Sequence, residues 1–254
     1  SEWHTLLVGG LGAGGRAVYA LDVTKPVALN ETETDVATSG RVLWEKTSAD
    51  PGFENLGYVY DAPTLVKTQR FGWVALVVSG YNNKDGDGKL FVLNPTNGEL
   101  LHTFSTGVGS DADPSGLSTI RAFTASRKDP YALQAYGGYL KGNVWRFDLS
   151  DPDNWPANGE KIAELKDDGG NAQPITTGVR VEIDQNNNVD RYLFVGTGRL
   201  LGKDDIKGNS ITNTLYVIRD GTRTAADAAP TPPYTRADLK TVSGVTADGF
   251  SGPA

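Results

Sequence analysis

Cysteine is absent, which removes disulfides, thiolate nucleophiles and cysteine-ligated zinc together and leaves the redox compartment open. Methionine is absent too, and the chain opens abruptly on Ser1-Glu2-Trp3, so it reads as a piece excised from a longer protein. Only two histidines occur, His4 and His102, too little material for a histidine-rich metal centre or a catalytic triad. No run approaches the ~18 apolar residues of a membrane-spanning helix, and no signal peptide opens the chain. The 24 Lys and Arg are outnumbered by 31 Asp and Glu and form no cluster, so the basic patch of a nucleic-acid surface is missing. No window of helical length carries an unbroken apolar stripe. The one alanine-rich stretch, Ala225 to Lys240, is broken by Pro230, Pro232 and Pro233.

Glycine is what the chain has in excess, 31 of 254 residues against an average of about 7%. Between the glycines run short apolar segments: Thr5 to Val8, Ala17 to Asp22, Arg41 to Glu45, Pro63 to Val66, Trp73 to Val78 and Lys89 to Leu93. They are rich in β-branched and aromatic residues and bounded by Gly, Asn, Asp or Pro, the pattern of strands joined by tight turns. The fold class is all-β.

One strand ending recurs. Val18-Tyr19-Ala20-Leu21-Asp22 is echoed by Leu90-Phe91-Val92-Leu93-Asn94, Val144-Trp145-Arg146-Phe147-Asp148 and Leu215-Tyr216-Val217-Ile218-Arg219-Asp220. The first three follow glycine-rich hairpins, at Gly12 to Gly15, Gly86 to Gly88 and Gly137 to Gly142. An Asp or Asn at such an end bonds its own downstream backbone and closes the turn. Four repeats of this kind describe blades of a β-propeller, which a sandwich does not predict. About four blades fill residues 1–220, so the ring is small or completed by further sequence. Residues 221–254 read as an irregular Pro/Ala/Gly-rich segment or the start of another blade.

Few motifs point to chemistry. Gly10-Leu11-Gly12-Ala13-Gly14-Gly15 matches a dinucleotide fingerprint, but a strand follows where a helix is required, so it reads as a hairpin. Oxygen ligands are abundant, which makes calcium the metal to expect. In Glu182-Ile183-Asp184-Gln185-Asn186-Asn187-Asn188-Val189-Asp190 they fall at every second position. Glu182, Asp184, Asn186, Asn188 and Asp190 would converge on one ion, Asn188 through its carbonyl; the rival reading is a plain polar hairpin. A weaker candidate is Asn83, Asp85 and Asp87, which begins like a calcium loop but lacks its closing carboxylate and also reads as an Asp-Gly hairpin. Both histidines read as strand residues, Asp167-Asp168 as solvated acids, and Trp44, Trp73 and Trp145 as packing between blades. No nucleophile elbow is present, and the chain reads as non-enzymatic.

Several stretches together resemble one family. Leu6 through Thr24, Gly80-Tyr81-Asn82-Asn83, Gly116-Leu117-Ser118-Thr119, Gly138 through Leu149, Gln173 through Thr177, and Phe194 through Leu201 are similar, in order, to the C-terminal propeller domain of the PilY1/PilC type IV pilus biogenesis proteins. The resemblance covers about residues 3 to 220. It implies a modified seven-bladed propeller of the quinoprotein-like type without the enzymatic role, located in the bacterial cell envelope and at the pilus tip. It further implies roles in pilus assembly, in extension against retraction and in adhesion. The partners implied are pilin or minor pilins and a host-cell or other surface receptor, with no nucleic acid. The family's calcium loop corresponds to Thr124 through Ala132, where the acids are almost gone and Arg127 and Lys128 stand instead. Calcium at 182–190 therefore rests on that loop's own chemistry. The rival readings are a quinoprotein-type dehydrogenase, whose quinone, tryptophan and catalytic aspartate cannot be assembled here, and an assembly scaffold without adhesive role.

Overall fold

The computed structural model describes residues 3–25, 39–126, 128–183, 191–207, 211–220, 231–242, 245–246 and 249–250. Strands dominate them and fall into four consecutive antiparallel meanders. The first blade holds β1 (Leu6–Gly10), β2 (Ala17–Asp22) and β3 (Val42–Thr47). The second holds β4 (Thr64–Thr68), β5 (Gly72–Val78), β6 (Lys89–Leu93) and β7 (Leu100–Ser105). The third holds β8 (Arg121–Ser126), β9 (Asp129–Gly138), β10 (Asn143–Asp148) and β11 (Glu160–Glu164). The fourth holds β12 (Arg180–Ile183), β13 (Arg191–Gly196) and β14 (Leu215–Asp220). The repeated sequence motif is the same strand each time: β2, β6, β10 and β14. The second and third blades are joined into one nine-stranded sheet by a parallel pairing of Lys67 with Tyr131.

Position in the stack explains the hydrophobic patterns. Strands β5 and β6 are buried almost without a break, Val74 to Val78 and Leu90 to Leu93, because neighbours cover both faces of the second blade. In the third blade Trp145 and Phe147 join the core shared with the first two blades, whereas Tyr136 and Val144 join the core shared with the fourth. The fourth blade buries one face and alternates accordingly. On β14, Tyr216, Ile218 and Asp220 are buried while Leu215, Val217 and Arg219 face outward. A continuous apolar run and a strict alternation are thus the two-sided and one-sided versions of one strand.

Three motif ends close as expected. Asp22 Oδ1 accepts the Thr24 N–H (2.9 Å), Asn94 Oδ1 accepts that of Thr96 (2.9 Å), and Asp148 Oδ1 accepts that of Ser150 (2.9 Å). The hydroxyls of Thr96 and Ser150 donate to the same oxygens. At the first turn, hydrogen bonds from Thr24, with His4 beside them, hold the Asp22 carboxyl down at about 2. A carboxyl lowered from its ordinary 3.8 favours the fold above about pH 4, and that contribution disappears as the pH falls through about 2. A carbon-detected NMR titration should place the Asp22 midpoint near 2 and show it rising in Thr24→Ala. An ordinary midpoint in the parent protein would contradict the turn.

Three details, at His4, Trp73 and Asp167, correct the sequence expectations. His4 lies just before β1, not within a strand, and its Nδ1 meets Asp22 Oδ2 at 3.1 Å. Trp73 sits on β5 but is 61% exposed, whereas Trp155, in a loop, is buried against His102, Phe71 and Phe104. Asp167 is buried, its Oδ1 accepting the N–H groups of Gly169 and Asn171, while exposed Asp168 pairs with Arg236. Within 221–254, β15 (Tyr234–Thr235) returns to pair in parallel with β11, followed by a 3-10 turn at Arg236–Asp238. Two further short strands, Val245–Thr246 and Gly249–Phe250, pair with each other.

Candidate functional site

Each motif strand is entered from the same end of the molecule. The entering loops, 11–16, 79–88, 139–142 and, among the described residues, 197–207 with 211–214, therefore gather at one mouth, opposite the Asx-closed turns. The segments between blades cross that mouth and tie the loops together through the backbone. Gly12 N–H donates to Val59 O (3.0 Å), and Tyr58 and Tyr81 exchange two hydrogen bonds (2.8 and 3.0 Å). Gly80 N–H donates to Leu117 O (3.0 Å), Leu140 N–H to Ser115 O (3.0 Å), Ile175 N–H to Tyr139 O (3.2 Å) and Gly198 N–H to Pro174 O (2.6 Å). One relay of main-chain bonds thus runs from the first blade to the fourth.

Beside this relay lies an open cleft of about 430 Å³, lined by Ala13, Tyr60, Tyr81, Asn82, Leu140 and Arg199, with Tyr58, Leu201, Gly202, Asp204 and Asp205 completing it. The Tyr60 and Tyr81 rings meet edge to face, 5.7 Å apart, and the Tyr60 side chain is half exposed. Burial raises the Tyr81 phenol above its ordinary value. Arg199 Nε donates to Asp205 Oδ1 (2.8 Å), and Asp205 Oδ2 accepts the N–H groups of Leu201 and Gly202 (2.8 and 3.0 Å). These backbone bonds, with Arg199 beside them, hold the Asp205 carboxyl below the usual range. Asn82 is the one non-glycine residue with positive φ (53°) among the described residues, a conformation that Asn tolerates better than most side chains.

A neighbouring cleft borders the second metal candidate. Asn83 is buried, and its amide donates to the Asp87 carbonyl (2.7 Å) while its Oδ1 finds no protein partner. Asp85 Oδ2 accepts from Asn55 (2.7 Å). The Asp87 carboxylate takes Lys89 (2.8 Å), Ser105 (2.5 Å) and Thr106 (2.9 Å). Burial pushes the Asp87 carboxyl up, but these donors outweigh it and the net shift is downward. The carboxylates of Asp85 and Asp87 thus serve different protein partners. For the first metal candidate only Glu182 is described. It pairs on β12 with Arg180 (2.6 Å), while Asp184, Asn186, Asn188 and Asp190 lie outside the described residues.

This architecture has known counterparts. The family model of the PilY1 beta-propeller domain matches residues 1–245. The chain belongs to the PilY1 β-propeller family. A type IV pilus biogenesis factor PilY1 homolog from Xylella fastidiosa is 32% identical over 236 residues, covering 86% of this chain and 15% of that protein. The type IV pilus biogenesis factor PilY1 of Pseudomonas aeruginosa strain UCBPP-PA14 is 32% identical over 260 residues, covering 92% of this chain and 21% of that protein. The crystal structure of the Pseudomonas aeruginosa PilY1 C-terminal domain is similar with a TM-score of 0.75 and 26% identity, over 96% of this chain and 52% of that one. The chain therefore spans about a fifth or less of these curated relatives and about half of the solved domain.

Within this propeller four of the family-like stretches lie at the mouth. Tyr81 to Asn83 and, from the fourth blade, Arg199 and Leu201 line its clefts, and Gly116 to Thr119 and Gln173 to Thr177 are crossing segments. Thr124 through Ala132 spans the β8–β9 turn, where Ser126 pairs with Asp129 and Asp129 Oδ1 accepts the Tyr131 N–H (3.0 Å). Sequence reasoning missed Tyr60 and Asp205, which lie far apart in the chain and share no spacing.

Proposed function

We propose that this chain is a non-enzymatic propeller module of a type IV pilus biogenesis factor, working in the cell envelope and at the pilus tip. The family match over residues 1–245 carries the reading. Four blades tied along one rim support a binding role, since they fix several loops on one surface. The partners are a pilin or minor pilins, and for adhesion a receptor on a host cell or other surface. Through them the module serves pilus assembly, biases extension against retraction and holds the pilus to surfaces. A strain whose full-length protein lacks this module should show fewer surface pili and reduced twitching; unchanged piliation and motility would overturn the assignment.

Calcium belongs to this reading through the 182–190 segment, which links antiparallel β12 and β13. Three carboxylates, Glu182, Asp184 and Asp190, would be neutralised by one ion, with Asn186 and Asn188 adding oxygens. The weaker alternative at Asn83, Asp85 and Asp87 has its carboxylates engaged by protein donors. Calorimetric titration of the chelator-stripped protein should show calcium binding that Asp184→Ala or Asp190→Ala abolishes with the fold retained. Titrations unchanged in both variants would discard the site.

A further inference from the structure

The cleft at the mouth has a lining that selects a ligand class by charge. Arg199 and Asp205 neutralise each other at 2.8 Å, and Asp204 adds a second carboxylate. Asp204 and Asp205 stand against Arg199 and, over the Tyr58 ring, Arg16, so the cleft carries no net charge to favour an anion. A cationic ligand would compete with guanidinium groups already placed beside the tyrosines, since Arg16 lies over the Tyr58 ring at 5.2 Å and Arg199 lines the same cleft as Tyr81. Tyr60 offers exposed aromatic surface, with its neighbour Tyr81 set edge to face. Asn82, Arg199 and Asp204 contribute planar amide, guanidinium and carboxylate groups to the same lining. The ligand that suits such a lining is uncharged, has a flat C–H face for the ring and carries several hydroxyls for the polar groups.

We propose that this cleft binds a neutral saccharide, stacked on Tyr60 and hydrogen-bonded by Asn82 and Arg199. The volume of about 430 Å³ falls within the range of small-molecule clefts and suits one or two sugar rings. Tyr60 and Asn82 belong to the first and second blades' side of the cleft and Arg199 and Asp204 to the fourth blade, so the sugar bridges loops that the backbone relay already aligns. The proposal stands apart from both the calcium loop and the role in pilus assembly.

The test is titration of the full-length protein with methyl glycosides of glucose, galactose, mannose, N-acetylglucosamine and N-acetylgalactosamine, and with cellobiose and lactose. N-acetylneuraminate and inorganic phosphate serve as anionic probes and lysine amide as a cationic one. At least one neutral glycoside should bind saturably at millimolar concentration. Tyr60→Ala should weaken it about tenfold, the scale of one aromatic contact, while Tyr60→Phe retains it. Asn82→Gly, which suits the positive φ and deletes only the amide, should weaken it as well. Failure of every neutral probe, binding unmoved in Tyr60→Ala and Asn82→Gly, or preference for the charged probes would each overturn the proposal. Unchanged melting temperatures of these surface variants keep the comparison clean.

Discussion

Asp220→Ala is expected to destabilise the fold by about 3–5 kcal/mol, the loss that follows when one partner of a buried ion pair is removed. Asp220 ends the fourth motif strand, where its counterparts close an exposed Asx turn. Here the carboxylate instead points into the contact between the third and fourth blades and is almost fully buried. It accepts two hydrogen bonds from Arg146 Nη1 (2.7 and 2.9 Å) and one from the Tyr136 hydroxyl (2.6 Å). Removing it strands a mostly buried guanidinium and leaves the buried Tyr136 phenol with only the longer contact to Gln134 Oε1 (3.1 Å). Burial and the Asp220 charge push the Tyr136 phenol well above its ordinary value in the parent protein. Glu160 holds the other arm of Arg146 at 2.5 Å but is more than half exposed and cannot substitute. Urea denaturation reads the effect. A loss below about 1 kcal/mol would mean that the pair behaves as a solvated surface bridge.

Gly80→Ala should be nearly as damaging, at about 2–5 kcal/mol, combining a strained backbone with an overpacked contact. Gly80 has φ +67°, and a Cβ there would run into the Tyr58 carbonyl, whose oxygen accepts the Tyr81 N–H. The clash must break the relay at the step that sets Tyr81 beside Tyr60. Gly72 supplies the control, with φ +70° and nothing within 4 Å of an added Cβ. Gly72→Ala should therefore show only the conformational cost, about 1–2 kcal/mol. Equal midpoints for the two variants in denaturant would refute the packing argument.

The sequence disclosed most of what is local. The strand ends at Asp22, Asn94 and Asp148 were legible because an Asx turn is chemistry between residues two apart, and the hairpin at Gly12 to Gly14 because a strand follows it. The blade sequence was legible because the motif repeats. What stayed hidden depends on which elements become neighbours. Asp220 looks like its three counterparts in sequence, and only the adjacent third blade turns it into an ion-pair partner. Trp73 and Trp145 both read as core strand residues, yet Trp73 stands at the start of β5, beyond the cover that buries Ala75 and Val77 on the same face. Asp167 looks solvated in its glycine-rich loop, but that loop folds back so that its own amides enclose the carboxylate. The mouth cleft joins Ala13, Tyr60, Asn82 and Arg199, whose proximity no spacing rule encodes. The oxygen alternation at 182–190 is a purely local signal, and most of it falls outside the described residues.

The placement of the Asx turns at one end and the entering loops at the other separates two kinds of change that the gene can accumulate. The loops already span very different stretches, 139–142 in one blade and 197–214 in another, while the motif strands that follow them keep the same length to within a residue. An insertion at the mouth lengthens a loop without shifting strand register, because the register is pinned from the far end. A change at the far end moves a whole strand against its neighbours. Under the binding role proposed above, exchange of a mouth loop clear of the backbone relay would re-target the module while the motif strands keep their register.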